Sequence, residues 1–177
     1  MKKTRTQNRK SINSASQFAM RPFRAADRSA IQAIRQKAFR SIFDSFRQLV
    51  GEEIFQLQYR DADRKQAEYL DSICATGADK EIFVLLQDDA VIGFVGIFAD
   101  KPSKIGEIDL NAVDPDHQGK GGGRFMYDFA LGRLKKKGVR LVKVGTGGDA
   151  SHLPARRAYE KAGFKVGIPG VTLFKLI

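Results

Sequence analysis

Apolar and polar positions follow different periods in different parts of this chain, and each period predicts a type of element. Over residues 26–46 the apolar positions recur every three or four residues, with Ile31 and Ile34 among them, which predicts a helix with one buried face. A second helical region covers 52–75, and its highly charged stretch at 60–65 predicts a break. Farther along, short apolar runs bounded by turn residues are typical of strands.

These apolar runs predict a central sheet. Asp88 and Asp89 join two of them as a hairpin, and we interpret the run at 141–144 as a buried strand. Strands followed by a helix, a strand, a helix and further strands predict an α/β fold, a mixed sheet with helices on both faces. We expect strands at 18–24, 82–86, 91–98, 105–113, 141–144, 164–166 and 171–177, and further helices at 124–137 and 155–162.

Length and composition are those of one globular domain. The chain has 177 residues, of which 42% are hydrophobic, and we expect a single domain over 18–177. Residues 1–17 are basic and polar, which predicts a disordered tail and not a secretory signal. No apolar run approaches the ~18 residues of a membrane span, so no membrane partner is expected. The single cysteine, Cys74, excludes an internal disulfide and agrees with a cytoplasmic location.

The formal net charge of +11 raises the question of a nucleic-acid partner. One basic cluster falls between Lys2 and Lys10, in the expected tail. Another, at 133–137, ends a predicted helix, where cations complement the helix dipole and Gly138 can terminate it. Because no basic motif is interleaved with aromatic residues, we do not expect a nucleic acid as partner. A coenzyme with several phosphates would also suit a basic surface.

A glycine-rich stretch, Gln118-Gly119-Lys120-Gly121-Gly122-Gly123, lies between the run at 105–113 and the helix at 124–137. Glycines let backbone N–H groups approach a ligand, and at a helix start these groups lack intrahelical partners. The stretch therefore predicts a diphosphate site, to which Lys120 and Arg124 add positive charge. A Walker loop would need a Lys-Ser or Lys-Thr after the glycines, and a dinucleotide loop a glycine at 124, so both are excluded.

The pattern that fits is Q/R-x-x-G-x-G/A, met by Gln118, Gly121 and Gly123. It resembles the coenzyme A pyrophosphate loop of the GNAT (Gcn5-related N-acetyltransferase) family. Downstream, 152–164 resembles that family's second signature, N-x-x-A-x-x-x-Y-E-K-x-G-F, except that His152 stands in place of the usual Asn. The two motifs come in family order, and the resemblance covers roughly residues 19 to 177.

The resemblance implies a mostly antiparallel sheet that splays after the third long strand and leaves a cleft for the pantetheine arm of acetyl-CoA. The backbone of 110–113 would bind that arm, while His152 would either contact the co-substrate or simply begin a helix. His117 and His152 lack accompanying ligands, so no metal is assigned. The expected co-substrate contacts are Leu110, Asn111, Ala112, Val113, Gln118, Gly119, Lys120, Gly121, Gly122, Gly123, Arg124, His152 and Ala155.

Acetyl transfer to an amine needs a base for the amine and an acid for the departing thiolate. The resemblance implies that Tyr159 is the acid. Glu107 lies on the strand before the glycine turn, where histone-acetylating relatives carry a glutamate base, and Asp109 shares its face by alternation. Either carboxylate, or neither, could be the base, and both could instead bind a cationic amine.

The sequence thus predicts an acyltransferase that moves the acetyl group of acetyl-CoA directly to a primary amine. The acceptor would be a small molecule or a peptide, such as a polyamine, an aminoglycoside, a lysine or a peptide N-terminus, contacted mainly by 26–75. Two alternatives stay open: a GNAT-fold module that binds acyl-CoA without turnover, and a basic nucleic-acid-binding protein. A homodimer is also left open.

Overall fold

The computed structural model describes residues 17–177. The first sixteen residues, which contain most of the expected basic tail, lie outside the described residues. The elements follow the order β1 (Phe18–Pro22), α1 (Arg28–Gln58), α2 (Ala62–Ile73), β2 (Glu81–Gln87), β3 (Ala90–Asp100), β4 (Ile105–Val113), α3 (Gly122–Lys136), β5 (Leu141–Val144) and α4 (Leu153–Lys161).

The five strands form one sheet in the order β1-β2-β3-β4-β5. All neighbours are antiparallel except β4 and β5, so the expected mixed, mostly antiparallel α/β sheet is confirmed. The hairpin between β2 and β3 turns at Asp88 and Asp89, as predicted. Both have positive φ, 48° and 65°, which is the backbone of the mirror-image two-residue turn that matches strand twist.

Apolar side chains form a core on each face of the sheet. On one face, Met126 and Leu134 of α3 pack with Tyr159 of α4 against the strands. On the other face, Ile31 of α1 and Leu70 of α2 are fully buried against it. Helices therefore cover both faces, as the sequence predicts.

The first helix is longer and the second is shorter than the sequence predicts. Helix α1 continues to Gln58, with a kink at Gly51, where φ is 78° and ψ is 165°. The predicted break within 60–65 falls slightly earlier, between α1 and α2, and α2 then begins at Ala62.

The expectation of a buried fifth strand is wrong. Strand β5 pairs on one side only, with β4, so it lies at the sheet edge, and Leu141 is 60% exposed. The predicted strands at 164–166 and 171–177 are also wrong, because the structure assigns no strand to that part of the chain. Gly167, Pro169 and Gly170 interrupt its apolar pattern, and proline lacks the N–H that a ladder needs. The apolar side chains from Val166 onward are exposed, whereas Phe164 packs against Tyr159.

The sheet opens between β4 and β5. The two strands pair only over Ile105–Ile108 of β4. On its other side β4 carries a bulge, because Asp109 and Leu110 together lie opposite Gly96 of β3. A bulge bends its strand and increases its twist. The second half of β4 therefore leaves β5 and presents an unpaired backbone edge, which is the expected splay.

Candidate active site

A cavity of about 860 Å³ lies where β4 and β5 separate. The second half of β4 forms one wall, α1 and α2 form another, and the glycine turn and the start of α4 complete it. Most of the residues expected at the site line this cavity, namely Glu107, Asp109, Leu110, Asn111, Ala112, Val113, Gln118, Gly119, Gly121, Gly123, Arg124, His152, Ala155 and Tyr159. Two expected co-substrate residues, Lys120 and Gly122, are not in the wall.

The glycine turn begins α3. Gly119 and Gly121 have φ of 76° and 93°, a backbone region that side chains other than glycine rarely adopt, and Gly121 is the residue before the first helical turn. The first N–H groups of a helix have no intrahelical acceptor, so here they are available at the cavity. Nε2 of Gln118 donates to the carbonyl of Val113 at 3.0 Å and ties the turn to the end of β4.

The two expected residues outside the wall have other contacts. A Cβ atom at Gly122 would lie 3.1 Å from Cδ2 of Leu85, so this glycine lets α3 approach the sheet. Nζ of Lys120 donates to the carbonyl of Asp116 at 3.2 Å. Arg124 lines the cavity, but its Nε is bonded to the carboxylate of Asp128 at 2.7 and 2.9 Å.

Tyr159 is buried at the back of the cavity, on α4. Its phenol oxygen accepts a hydrogen bond from Nδ2 of Asn111 at 3.1 Å. Oδ1 of the same amide accepts one from the hydroxyl of Tyr127, on α3, at 2.9 Å. Burial raises the pKa of Tyr127, and its neighbour Tyr159 adds to the effect, so Tyr127 stays protonated. Asn111, expected only as a backbone contact, thus also orients two phenols.

Both candidate carboxylate bases are engaged by lysines. Glu107 is paired with Lys143, its neighbour on β5, at 3.1 Å. Asp109 accepts hydrogen bonds from Lys80 and from the hydroxyl of Tyr69 on α2. Burial lowers the pKa of Lys80, but the hydrogen bonds and charges of Asp109 and Tyr69 together outweigh burial and leave that pKa above its ordinary value. Each carboxylate therefore already has a cation as its partner.

The loop before α4 carries a histidine and an aspartate in contact. Nδ1 of His152 lies 2.6 Å from Oδ1 of Asp149, and both side chains are largely buried. Asp149 also accepts from the backbone N–H of Ser151 at 3.0 Å. Burial raises the pKa of the Asp149 carboxyl, but the bonds from Ser151 and His152 outweigh burial and leave that pKa below its ordinary value.

The remaining wall belongs to α1 and α2. Phe39 and Ile42 of α1 and Gln66 and Tyr69 of α2 face the cavity. These helices fall within 26–75, the region expected to contact the acceptor. This wall is largely apolar, with polar groups from α2 at one side.

Sequence reasoning missed three side chains at the site: Tyr127, Lys80 and Asp149. The helical spacing of Gly123 and Tyr127 could have placed that phenol on the α3 face that begins at the glycine turn. Asp149 precedes His152 by three residues, a spacing that brings side chains together in a helical turn. Nothing in the sequence pairs Lys80 with Asp109, since they meet only through the sheet.

Two further observations concern the described part of the chain. Among residues 17–177 there is no group of three or more histidine, cysteine, aspartate or glutamate side chains arranged to hold a metal ion. None of the helices described there has the length and apolar character needed to cross a bilayer.

Residues 39–164 match the family model described as Acetyltransferase (GNAT) family. Because the match covers well over half of the chain, the chain belongs to the GNAT family of acetyltransferases. The expected enzyme class, an acyltransferase, is confirmed with it.

Curated relatives and solved structures agree with this assignment. A mycothiol acetyltransferase of Thermomonospora curvata is 36% identical over 83 residues, which are 47% of this chain and 27% of that protein. The chain thus matches about a quarter of that relative's length. The PaiA N-acetyltransferase of Thermoplasma acidophilum, solved with coenzyme A, superposes with a TM-score of 0.63 at 17% identity, covering 85% of this chain and 91% of that one. The ribosomal-protein-S18-alanine N-acetyltransferase of Escherichia coli gives 0.59 at 20% identity, covering 85% and 79%.

Proposed function

We propose that this protein transfers the acetyl group of acetyl-CoA to a primary amine. The proposal rests on one observation. The glycine turn, the unpaired edge of β4 and the residue Tyr159 all line a single cavity. A phosphate site, a slot for an extended arm and a proton donor are the three features that an acyl-CoA substrate needs, and they occur here in that order.

The residues present fit coenzyme A. The turn at Gly119 and Gly121 offers backbone N–H groups and the positive end of α3 to a diphosphate. The backbone of 110–113 is not paired with β5, which reaches only as far as Ile108, and it can bond a pantetheine arm as an added strand would. A solved neighbour from Thermoplasma acidophilum contains coenzyme A, which supports the same ligand for this chain.

Direct transfer needs no nucleophile from the protein. Cys74, the single thiol, belongs to the other face of the sheet, and burial raises its pKa to about 11, so it is an inert thiol. The amine would attack the acetyl carbonyl carbon while the C–S bond breaks. Tyr159 would then give its proton to the departing sulfur, because its hydroxyl is bonded to Asn111, on the strand edge that would hold the pantetheine arm. Bringing both reactants together supplies much of the acceleration.

The acceptor would enter beside α1 and α2. Phe39, Ile42 and Tyr69 would contact its apolar part. Since Glu107 and Asp109 are already paired with lysines, they provide less attraction for a polycationic amine than the sequence indicates. The base for the amine could still be Glu107 or Asp109 if the acceptor displaced the lysine.

Calorimetry and a thiol-release assay test the proposal. Acetyl-CoA is titrated into the protein, and free thiol is then measured with spermidine, kanamycin, an Nα-protected lysine and a short peptide with a free N-terminus. We expect a saturable heat with acetyl-CoA and thiol release with at least one amine. Binding without release would favour the non-catalytic module, and absence of binding would contradict both.

A further inference from the structure

His152 and Asp149, the pair at the start of α4, have the geometry of a proton-accepting site. We propose that His152 is the general base that deprotonates the acceptor amine, with Asp149 as its positioning residue. The inference rests on the proposed acetyl transfer and names a further catalytic residue for it.

The hydrogen bonds define which ring nitrogen is available. The carboxylate of Asp149 can only accept, so Nδ1 of His152, 2.6 Å away, is assigned the proton. Nε2 then carries the lone pair, and it makes no hydrogen bond to any residue of the described chain. A neutral imidazole with one nitrogen bound to a carboxylate and the other free is the arrangement of a general base.

The surroundings hold this pair in place. A Cβ atom at Gly147 would lie 2.4 Å from Nδ1 of His152 and 2.5 Å from Oδ1 of Asp149, so the loop needs a glycine there to make room. Nη1 of Arg156 donates to the carbonyls of Gly147 and Asp149 at 2.6 and 2.7 Å. From α1, the ring of Phe46 stacks on the imidazole with centroids 6.0 Å apart.

The charges around the pair come from its own loop and from α4. The charged groups facing the pair are Asp149 itself and Arg156 of α4, whose guanidinium is bonded to loop carbonyls and not to the imidazole. Ser45 and Phe46, which face it from α1, carry no charge. The carboxylate would therefore stabilise the imidazolium once it forms.

His152 of the pair belongs to the same cavity as Tyr159. The two residues are seven positions apart along the chain, about two helical turns. In the proposed step Nε2 takes a proton from the ammonium, directly or through one water, and the amine lone pair forms the C–N bond. The C–S bond breaks and Tyr159 protonates the sulfur. The nitrogen then gives its second proton to the Tyr159 phenolate, which restores the phenol, and the proton on His152 leaves to solvent. The competing carboxylates, Glu107 and Asp109, are bonded to lysines.

The variant His152→Asn tests this role, because it restores the residue that the family motif usually has at this position. Co-substrate binding should survive the change, with the Kd for acetyl-CoA within about threefold of wild type by calorimetry. With the best amine of the panel, kcat at pH 7.5 should fall about 100-fold or more. The acidic limb of the kcat–pH profile should disappear as well. An imidazole base gives such a limb within about pH 5 to 8, whereas an ordinary carboxylate gives one near pH 4.

The conservative variant Asp149→Asn keeps a side chain that can begin the helix but removes the carboxylate from the imidazole. We expect acetyl-CoA binding to persist and kcat to fall at least tenfold. If His152→Asn keeps wild-type kcat and pH profile, or loses only acetyl-CoA affinity, the base assignment is wrong. Loss of the limb in Glu107→Gln or Asp109→Asn would transfer the role to that carboxylate. If the wild type fails to bind acetyl-CoA or to acetylate any amine, the proposed function itself fails.

Discussion

The hydroxyl of Tyr159 accepts a hydrogen bond from Nδ2 of Asn111 at 3.1 Å, and this contact determines where its own proton can point. The return contact, from the hydroxyl to Oδ1 of Asn111, is 3.5 Å, too long for a good O–H···O bond. Oδ1 is instead satisfied by Tyr127 at 2.9 Å. The hydroxyl proton of Tyr159 can therefore point into the cavity, where the proposed reaction needs an acid for the departing thiolate.

Replacing Tyr159 with Phe should remove this acid and leave the ring contacts intact. We expect kcat to fall about 100-fold, because general acid catalysis contributes that order of acceleration. The Kd for acetyl-CoA, measured by calorimetry, should stay near the wild-type value.

The matched control is Tyr127→Phe, which removes the other phenol of the same cluster. It should lower the free energy of unfolding by about 1 to 3 kcal/mol, because the part-buried Oδ1 of Asn111 loses its donor. Its kcat should change only severalfold. Equal losses of kcat in the two variants would show that Tyr159 serves packing and not proton transfer.

Gly119→Ala and Gly138→Ala separate backbone strain from ligand binding. The two glycines have φ of 76° and 84°, and a Cβ atom at either would meet nothing within 4 Å. Both variants should therefore lose similar stability, about 1 kcal/mol. Gly119 lines the cavity and Gly138 ends α3, so calorimetry should show weaker coenzyme A binding only for Gly119→Ala. Alanine keeps the backbone N–H, but its Cβ atom would hold the diphosphate away from the turn, and the loss of one charge-assisted bond predicts about a tenfold increase in Kd. Equal affinities in both variants would place the diphosphate elsewhere.

The parts of the fold that could be predicted from the sequence are those with local causes. The bounds 105–113 and 141–144 agree with β4 and β5, because turn residues flank both apolar runs. The glycine turn could be recognised because positive φ and free helix N–H groups are properties of a few consecutive residues. The paired tyrosines, in contrast, depend on Asn111, which meets them only after α3 and α4 pack on the sheet.

What could not be predicted has non-local causes. Asp109 has the residue type of a base, but Lys80 reaches it from the turn before β2 and Tyr69 from α2. The apolar residues at 171–177 have strand-forming types, yet a strand also needs a hydrogen-bonded neighbour. The exposed position of β5 follows from its place at the sheet edge, which its own four residues do not encode.

Asp27 should make stability depend on pH. It is buried, and its carboxylate accepts bonds from Arg21 at 2.6 and 2.8 Å and from the backbone N–H of Arg24 at 2.8 Å. The bond from Arg21, chiefly, holds the pKa of Asp27 below its ordinary value. A group with a lowered pKa in the folded state stabilises the fold above its unfolded-state pKa, near 4, and this contribution is lost as pH falls through the folded-state pKa.

The variant Asp27→Asn should therefore cost about 2 kcal/mol at pH 7, measured by urea unfolding. The difference from wild type should shrink progressively below about pH 4. The control Glu68→Gln removes an exposed partner of Arg64. It should not measurably change the free energy of unfolding, either at pH 7 or below about pH 4. A difference for Asp27→Asn that is constant from pH 7 to pH 2 would contradict the assigned ion pair.

Two adjacent glycines test the histidine–aspartate pair without changing either member. A Cβ atom at Gly147 would overlap both His152 and Asp149, whereas one at Gly148 would meet nothing within 4 Å. Neither glycine has positive φ, so alanine adds no backbone strain at either position. Gly147→Ala should force the imidazole from the carboxylate, reduce kcat at least tenfold and alter the acidic limb of its pH profile.

Gly148→Ala should behave as wild type in kcat, pH profile and thermal stability. Imidazole proton signals followed by NMR across the titration would show whether the contact between Nδ1 and Asp149 is lost only in Gly147→Ala. If that contact is lost while kcat and the pH profile stay unchanged, the pair is a structural feature of the loop and the base must be sought among the carboxylates of β4. If contact and activity are lost together, the position of one ring nitrogen controls the rate.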